Sequence, residues 1–326
     1  MNTNREKPAA PQGGTVIITG GNAGLGFEAA KKIAADSGGW HIVIASRSMQ
    51  RMEPAVQTLI RETGSRHITA MTLDLASLDS VRRFADRFAS AGLPPLRAII
   101  CNAGSNFAQE TRATDDGVEA TFGVNHLGHF LLVRLLLGQL EEGGQVLVVS
   151  SDTHDPSAKT GMPAPRYEHP EIMADPAASD RQLAQLSPAQ RGSVRYTTSK
   201  LCNLYFAYEL DRRLRRAGRA VIVTAFNPGM MPGKGSALSR NFPPILRFAW
   251  NYVMPALRLF NSAVRSTKQS GGDLAELLLK HLPVEHSGTY WDGPRAIPSS
   301  DESYEEPRAK ELWNWSSART GLPAEL

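Results

Sequence analysis

Six runs of mostly apolar, β-branched residues divide this sequence, and segments of helical length separate them. The runs are near-continuously apolar, which is typical of strands buried on both faces of a parallel sheet. They read TVIITG, HIVIASR, HITAMTLDL, LRAIICNAG, GQVLVVSS and AVIVTAFNPG, and helical segments include 25–35, 77–91, 113–137 and 196–216. A βαβ repeat of this kind predicts an α/β fold with a doubly wound parallel sheet, in which ligands bind beyond the carboxyl ends of the strands.

The chain of 326 residues contains no internal repeat that we find, and we expect a single domain over residues 15–326. Residues 1–14 are predicted to form a flexible tail. Two segments lack a clear period: 152–191, predicted to be an insertion loop after strand five, and 230–266, predicted to be a substrate-binding lid after strand six. A last helix is expected from about Pro307 to Trp315.

Composition excludes several classes of protein. The net charge of +4 is spread along the chain, so we expect no nucleic-acid partner. Two cysteines without a spaced framework favour a reducing compartment. The N-terminus lacks the apolar core of a secretory signal, and no apolar run reaches the roughly 20 residues of a membrane span. We therefore expect a cytoplasmic protein without an integral membrane span.

A glycine cluster follows the first strand and opens the first helix. In VIITGGNAGLGFEAA, Gly24, Gly26 and Ala29 fit GxGxxA, and Gly20 extends the pattern to TGxxxGxG. Small residues let the backbone approach a pyrophosphate, whose charge a helix N-terminus stabilises. A glycine pattern alone could be a tight turn, but in a strand–turn–helix setting it predicts a Rossmann-type dinucleotide site.

The second strand bears on which dinucleotide binds. It ends in Ser46 and Arg47, without the carboxylate that usually holds the ribose hydroxyls of NAD. An arginine there would pair with a 2′-phosphate, so we expect NADP(H) over NAD, although Arg47 could simply cap a surface loop. Together with the later motifs, the predicted cofactor-binding residues are Gly20, Asn22, Gly24, Leu25, Gly26, Ser46, Arg47, Asp74, Leu75, Asn102, Ala103, Gly104, Tyr196, Lys200, Pro228 and Gly229.

Tyr196 and Lys200 lie four residues apart, which places them on one face of a helix. Reducing a carbonyl with hydride requires a proton donor at the oxygen. A free tyrosine, with a pKa near 10, is a poor acid–base at neutral pH unless its anion is stabilised. Lys200 would supply positive charge that lowers the pKa of Tyr196. Such a pair is also common in helices without any chemical role.

Six motifs appear in an order that resembles the short-chain dehydrogenase/reductase family: TGxxxGxG, NAG (Asn102 to Gly104), NHLGHF (Asn125 to Phe130), VVSS, YxxxK and NPG. The resemblance implies that Tyr196 is the acid and that Lys200 is its electrostatic partner and a ribose ligand. It implies that Ser151, rather than Ser150, orients the carbonyl and that Asn125 holds a water in a proton relay. It also suggests a homo-oligomer paired through segments 113–137 and 196–216.

Two branches of that family look nearest. YTTSKLCN is similar to the YKxSKxCN segment of light-dependent protochlorophyllide reductases, and NHLGHFLL is shared with retinol-dehydrogenase-like enzymes. The photoenzymes carry a cysteine linked to their activity where this chain has Met230, and methionine cannot donate a proton. Lys234 stands near the position of a threonine that usually holds the nicotinamide amide. Cys202 is predicted to pack within its helix.

The sequence therefore predicts an NADP(H)-dependent oxidoreductase that interconverts a carbonyl and an alcohol on a bulky apolar substrate. The lid supplies suitable side chains in Phe242, Ile245, Leu246, Phe248, Trp250 and Tyr252, although it could instead cover the core or lie on a membrane surface. Alternatives are light-driven reduction of a tetrapyrrole C=C bond and a non-catalytic NADP-binding sensor or scaffold.

Two other classes of site are disfavoured. His126 and His129 lack a third metal ligand nearby, so we expect no metal. Ser151, His154 and Asp155 would place a nucleophile and its base in one loop without the GxSxG elbow of a hydrolase.

Overall fold

A single mixed sheet forms the centre of the molecule. The computed structural model describes residues 13–107, 110–233, 248–255, 263–280 and 282–326. Within these residues the strands are β1 Thr15–Thr19, β2 His41–Ser46, β3 Ile68–Thr72, β4 Leu96–Cys101, β5 Leu140–Val149, β6 Ile222–Asn227, β7 Thr289–Asp292 and β8 Arg295–Ile297. Their order is β3-β2-β1-β4-β5-β6-β7-β8, and every neighbouring pair is parallel except β7 and β8.

The helices pack on both faces of this sheet. They are α1 Gly24–Ala34, α2 Met49–Thr63, α3 Leu78–Ser90, α4 Ala120–Phe122, α5 Gly128–Leu136, α6 Pro170–Ala174, α7 Pro176–Gln182, α8 Pro188–Arg216, α9 Thr267–Leu279 and α10 Glu306–Arg319. In β1, Ile17 packs with α3, α5 and α8, whereas Val16 and Ile18 pack with α1, α2 and α9. This alternation confirms the predicted doubly wound α/β architecture and explains why the strands are apolar on both faces.

The six predicted strands are confirmed, and two short ones were missed. β7 and β8 have only four and three residues, too few for a pattern. The switch point lies between β1 and β4, where the chain leaves the edge at β3 and returns to the centre. Ligands of such sheets bind at this position, next to the glycine turn after β1.

Several predicted boundaries were wrong. The segment 152–191 is not a plain loop, because it contains α6 and α7. α8 begins at Pro188, eight residues before Tyr196, since Ser187 and Gln190 form a capping box that starts the helix early. The helix expected over 113–137 begins only at Ala120 and passes through a π-helical turn, Gly123–Leu127.

Within the described residues, one helical segment, Ala120–Gln139, is long and apolar enough to cross a membrane, but 89% of its most apolar stretch is buried inside the protein. It is a core helix by this measure. Much of the predicted lid, including Phe242, Ile245 and Leu246, lies outside the described residues, as does most of the predicted tail. Within the described part of the lid, the Phe248 and Tyr252 rings lie 5.0 Å apart and are 62% and 56% exposed.

The C-terminal helix α10 covers α8. Trp313, at 1% exposure, lies beneath the guanidinium groups of Arg134 and Arg213, which are 5.0 and 4.7 Å from the ring centroid. Tyr205 donates a hydrogen bond to the Glu302 carbonyl, just before that helix. The helices predicted to pair between subunits are thus partly occupied within the chain, and the oligomer stays a prediction.

Candidate active site

The turn between β1 and α1 has the geometry of an anion cradle. Gly20 and Gly24 have φ of +67° and +60°, a region that favours glycine. A Cβ on Gly26 would lie 2.5 Å from the Asn102 side-chain nitrogen and 2.9 Å from the Gly20 carbonyl oxygen. Only glycine fits there, so the backbone is free to meet a ligand at close range.

The N-terminus of α1 is left open to an anion. Its N-cap residue, Ala23, makes no side-chain capping hydrogen bond, and the first turn carries no acidic residue. The first backbone N–H groups of a helix have no partner within it, and the helix dipole is positive at that end. These groups therefore offer an unblocked site for a phosphate.

Thr19, which the sequence analysis did not single out, ties this turn to the next strand. Its hydroxyl oxygen accepts hydrogen bonds from the backbone N–H groups of Asn102 and Ala103, both at 2.9 Å. The Asn102 side chain donates to the Thr19 carbonyl at 2.7 Å. This network fixes the predicted Asn102–Gly104 segment against Gly20.

His129 continues the network towards Asn125. Its Nδ1 lies 3.1 Å from the Asn125 carbonyl oxygen, which can only accept, so Nδ1 carries the proton. Its Nε2, 2.9 Å from the Thr19 hydroxyl, is then the acceptor. Burial, followed by the nearby Lys200 cation, lowers the pKa of His129 to about 4, so the imidazole is neutral. This places His129 in a structural role rather than in a metal site.

Asn125 lies in the π-helical turn and is fully buried. Its side chain accepts from the Ser105 N–H at 2.7 Å and donates to the Ser105 carbonyl and the Ser199 hydroxyl at 3.0 and 2.9 Å. It therefore braces the loop after β4 against α8. The proton-relay water predicted for Asn125 stays a prediction.

Lys200 is held close to this loop. A Cβ on Gly104 would lie 3.5 Å from Asn125 Oδ1 and 3.8 Å from Lys200 Nζ, so both groups converge there. The Lys200 ammonium donates to the Val149 carbonyl at 3.1 Å. The Ser150 hydroxyl donates to the Lys200 carbonyl at 2.8 Å. Ser150 thus anchors α8 to β5, and the choice of Ser151 as the reacting serine stays a prediction.

The Tyr196 ring lies beside that lysine, with Nζ 5.5 Å from the ring centroid. Burial, followed by the Asp152 charge, raises the pKa of Tyr196 to about 12. Burial lowers the pKa of Lys200 to about 8. This differs from the expectation that Lys200 lowers the tyrosine pKa, because burial and the Asp152 charge both raise it. The Tyr196 phenol is consequently neutral, and its role as the acid stays a prediction.

Ser151 begins the 3₁₀ turn Asp152–His154 and is only partly buried. Its hydroxyl donates to Asp152 Oδ1 at 3.0 Å and accepts from the Thr153 N–H at 3.2 Å. His154 fixes the backbone, since its Nδ1 lies 2.5 Å from the Ser151 carbonyl and its Nε2 accepts from the Ser300 N–H at 3.0 Å. The Ser151 contact with Asp152 was not foreseen from the sequence.

The Pro228–Gly229 turn after β6 is braced from three sides. The Asn227 side chain accepts from the Gly229 N–H at 3.0 Å, and the Ser270 hydroxyl donates to the Pro228 carbonyl at 2.6 Å. Arg265, 4% exposed by its side chain, forms a 2.9 Å ion pair with Asp292, which also accepts from Asn227. These contacts therefore fix the position of the turn at the carboxyl end of the sheet.

The remaining predicted cofactor residues differ in accessibility. Arg47 is exposed and forms no salt bridge with any described residue, while Ser46, Asn22 and Asp74 are partly buried. Leu25 and Leu75 are 8% and 6% exposed and belong to the core. Their side chains are unavailable to a ligand, which leaves only their backbone groups for that role.

Two residues that invited a chemical interpretation are structural. His126 lies among aromatic rings, including Phe122 and Phe206, and its Nε2 bonds with the Ser316 hydroxyl at 2.9 Å. Burial lowers its pKa to about 3. Cys202 is fully buried in an apolar cluster, and burial raises the pKa of its thiol. Its predicted packing role is confirmed. Among the residues described, no three potential ligands are grouped to hold a metal ion.

Comparison with known proteins agrees with this geometry. Residues 14–162 match the model of the short chain dehydrogenase family, and residues 237–325 match that of the AcuH dehydrogenase domain. The chain is 32% identical over 324 residues to protochlorophyllide reductase A of Oryza sativa subsp. japonica, covering 95% of this chain and 81% of the relative. It is 37% identical over 313 residues to the WW domain-containing oxidoreductase of Gallus gallus, covering 93% and 67%.

Solved structures show the same fold. A protein from Mycobacterium paratuberculosis superposes with a TM-score of 0.67 at 27% identity, covering 97% of both chains. A short chain dehydrogenase from Burkholderia cenocepacia, solved in complex with NADP, superposes with a TM-score of 0.59 at 22% identity, covering 86% of this chain and 96% of that one. The length and identity of the match to the rice relative, joined to the glycine turn and the fold, show that the chain belongs to the short-chain dehydrogenase/reductase family of oxidoreductases.

Proposed function

We propose that the chain is an NADP(H)-dependent reductase that interconverts a carbonyl and an alcohol on a bulky apolar substrate, with Tyr196 as the acid–base group. The observation that carries this proposal is the position of the Lys200 ammonium, 5.5 Å from the centroid of the Tyr196 ring and 3.1 Å from the Val149 carbonyl at the end of β5. Ser151 follows that strand two residues later. Tyr196 is neutral there and partly exposed, as a proton donor requires.

The residues present fit a dinucleotide phosphate. The open N-terminus of α1 and the cradle of Gly20, Gly24 and Gly26 would hold the pyrophosphate. Arg47, exposed and without a salt bridge among the described residues, would meet a 2′-phosphate, and no carboxylate stands at the end of β2 to repel it. The NADP complex of the Burkholderia relative supports this choice.

The chemistry of the site is a balanced two-electron reduction. NADPH, when bound, would supply hydride to the carbonyl carbon. Tyr196 donates its hydroxyl proton to the carbonyl oxygen as the π bond breaks, which leaves a C–H bond, an O–H bond and a tyrosinate. The Lys200 cation stabilises that tyrosinate until a proton from solvent restores the phenol. Ser151 orients the carbonyl by a hydrogen bond, and alcohol oxidation follows the same steps in reverse.

The test is consumption of NADPH by the purified protein in the dark with a panel of aromatic and long-chain ketones. We expect turnover with NADPH well above that with NADH, and Arg47→Ala should reduce this preference about tenfold, the effect of one charge-assisted contact. Equal use of NADH and NADPH by the wild type would contradict the cofactor assignment. No turnover with any ketone or alcohol would favour a sensor or scaffold that binds NADP without reaction.

A light-driven C=C reductase is the second candidate, because the chain is similar to the rice protochlorophyllide reductase over most of its length. Met230 weakens this candidate, since a thioether has no proton to donate. Illumination of the protein with NADPH and protochlorophyllide distinguishes the light-driven reductase from the carbonyl reductase. Spectral conversion that occurs only in light would support the photoenzyme and displace the dark reaction.

A further inference from the structure

Asp152 places a carboxylate next to the serine that is proposed to orient the substrate. A serine hydroxyl has one proton to donate. In this chain the Ser151 proton is directed at Asp152 Oδ1, at 3.0 Å, while the Thr153 N–H occupies one lone pair of the serine oxygen. A ketone oxygen can only accept, so it must compete with Asp152 for that proton.

The Asp152 carboxylate has no dedicated counter-ion. Arg265, whose charge acts on Asp152, is paired with Asp292 at 2.9 Å, and no salt bridge to Asp152 is formed within the described residues. The charged and titratable groups that act on Asp152 are Asp292 of β7, Arg265 and His154. His154 is held neutral between the Ser151 carbonyl and the Ser300 N–H.

Asp152 also faces the reacting end of the site. Its charge acts on the Tyr196 phenol of α8 and on the Tyr290 phenol of β7, and its side chain remains partly exposed. Burial, reinforced by Asp292, raises the pKa of Asp152, as expected for a partly desolvated carboxylate that forms no ion pair. A hydrogen-bond donor on a ligand would satisfy this group.

We propose that Asp152 is a specificity-determining residue that selects carbonyl substrates carrying a hydroxyl or other hydrogen-bond donor next to the reacting carbon. The donor binds the Asp152 carboxylate in place of Ser151, and the freed Ser151 hydroxyl turns to the carbonyl oxygen. A ketone without such a group leaves Ser151 engaged with Asp152. This inference rests on the proposed carbonyl reduction and narrows its substrate to hydroxy ketones and their analogues.

The test compares two ketones of nearly the same shape, 2-hydroxyacetophenone and propiophenone, in NADPH-dependent reduction. The wild type should prefer the hydroxy ketone by about tenfold in kcat/KM, the typical effect of one hydrogen bond to a charged group. Asp152→Ala should bring the ratio close to one, by lowering kcat/KM for the hydroxy ketone and raising it for propiophenone. Asp155→Ala, three residues along the same turn, is the matched control and should keep the wild-type ratio.

Asp152→Asn keeps an acceptor but removes the charge. It replaces the alanine variant in this test if circular dichroism shows that Asp152→Ala is unfolded. Its ratio should fall between those of the wild type and Asp152→Ala. A wild-type ratio near one, or a ratio unchanged in both variants, would overturn the role of Asp152 while leaving carbonyl reduction in place. No reduction of either ketone, nor oxidation of the corresponding alcohols, would instead count against the proposed function itself.

Discussion

At the residue scale, the candidate site depends on buried side chains whose protonation states follow from their partners. His129 and His154 are both neutral, each with a carbonyl facing Nδ1 and a donor facing Nε2. Lys200 and Tyr196 are shifted by burial in opposite directions, the lysine downwards and the tyrosine upwards. The lysine therefore titrates within the ordinary assay range, and the tyrosine does not.

The pH dependence of carbonyl reduction should follow Lys200. Its pKa of about 8 means that the stabilising cation is present below pH 8 and is lost above it, while Tyr196, with a pKa of about 12, keeps its proton. We expect kcat/KM to fall about tenfold per pH unit above pH 8. Lys200→Arg should lack this decline, because a guanidinium stays charged, although its maximal rate should be lower. A decline at the same pH in both proteins would rule out Lys200 as its source.

The Thr19 hydroxyl should matter for stability as well as for the cofactor site. Thr19→Val leaves the N–H groups of Asn102 and Ala103 without their acceptor in a buried turn, so the free energy of unfolding should fall by about 2 kcal/mol or more. Thr19→Ser keeps the hydroxyl and is the control. Urea titration of the three proteins measures the effect. A Thr19→Val protein as stable as the wild type, or as stable as Thr19→Ser, would contradict this role of the hydroxyl.

At the element scale, the helix α1, which follows the glycine turn, is positioned by its packing against α9. Gly271 of α9 lies so close to α1 that a Cβ there would be 2.4 Å from Glu28 Cβ and 2.9 Å from the Ala29 nitrogen. Its neighbour Gly272 has no atom within 4 Å of the equivalent position. Of these two adjacent glycines, Gly272 has room for a larger side chain and Gly271 does not.

Alanine substitutions at these two positions should have opposite effects. Gly271→Ala forces α1 and α9 apart and should lower the free energy of unfolding by about 1–3 kcal/mol. Gly272→Ala should raise it by about 0.5–1 kcal/mol, because alanine reduces the entropy of the unfolded chain without strain. Thermal unfolding of the wild type and both variants measures these changes in stability. A stable Gly271→Ala protein with unchanged NADPH affinity would refute the close packing of these helices.

The sequence predicts elements better than their ends. The six long strands and the glycine turn carry local patterns, and the structure confirms them. β7 was missed because four residues carry too little pattern, and the early start of α8 depends on one capping box. Thr19 and Asp152 escaped notice because their partners are set by folding: the Thr19 contacts lie 83 to 110 residues away. The contact of Asp152 depends on the 3₁₀ turn, which no sequence pattern indicated.

At the scale of the whole molecule, the last helix, α10, covers the helix α8. α10 lies on α8, and the guanidinium groups of Arg134 and Arg213 contact the Trp313 ring. The same two arginines donate hydrogen bonds to the carbonyls of Pro323 and Ala324, respectively. The helix that carries Tyr196 and Lys200 is therefore packed from both sides, against the sheet and against α10.

Removal of the Trp313 ring should weaken the entire fold. Trp313→Ala leaves a large cavity between two cations, so we expect a loss of about 3–5 kcal/mol in the free energy of unfolding. Trp315→Ala is the comparison, since that half-buried ring bonds with Glu171 at the surface and should cost far less. Unfolding in guanidinium chloride measures the free energy of unfolding of both variants. Similar losses of unfolding free energy in both variants would mean that the Trp313 contacts contribute no more to the stability of α10 than the surface contact of Trp315.

The central claim, that Tyr196 protonates a carbonyl as it receives hydride, is tested most directly by isotope transfer. NADPH deuterated at C4 on the transferred side is incubated in the dark with 2-hydroxyacetophenone, and the alcohol is analysed by mass spectrometry. We predict one deuterium at the carbinol carbon with the wild type and a loss of at least about a hundredfold in product with Tyr196→Phe. Product without deuterium, or equal product from the variant, would contradict the claim.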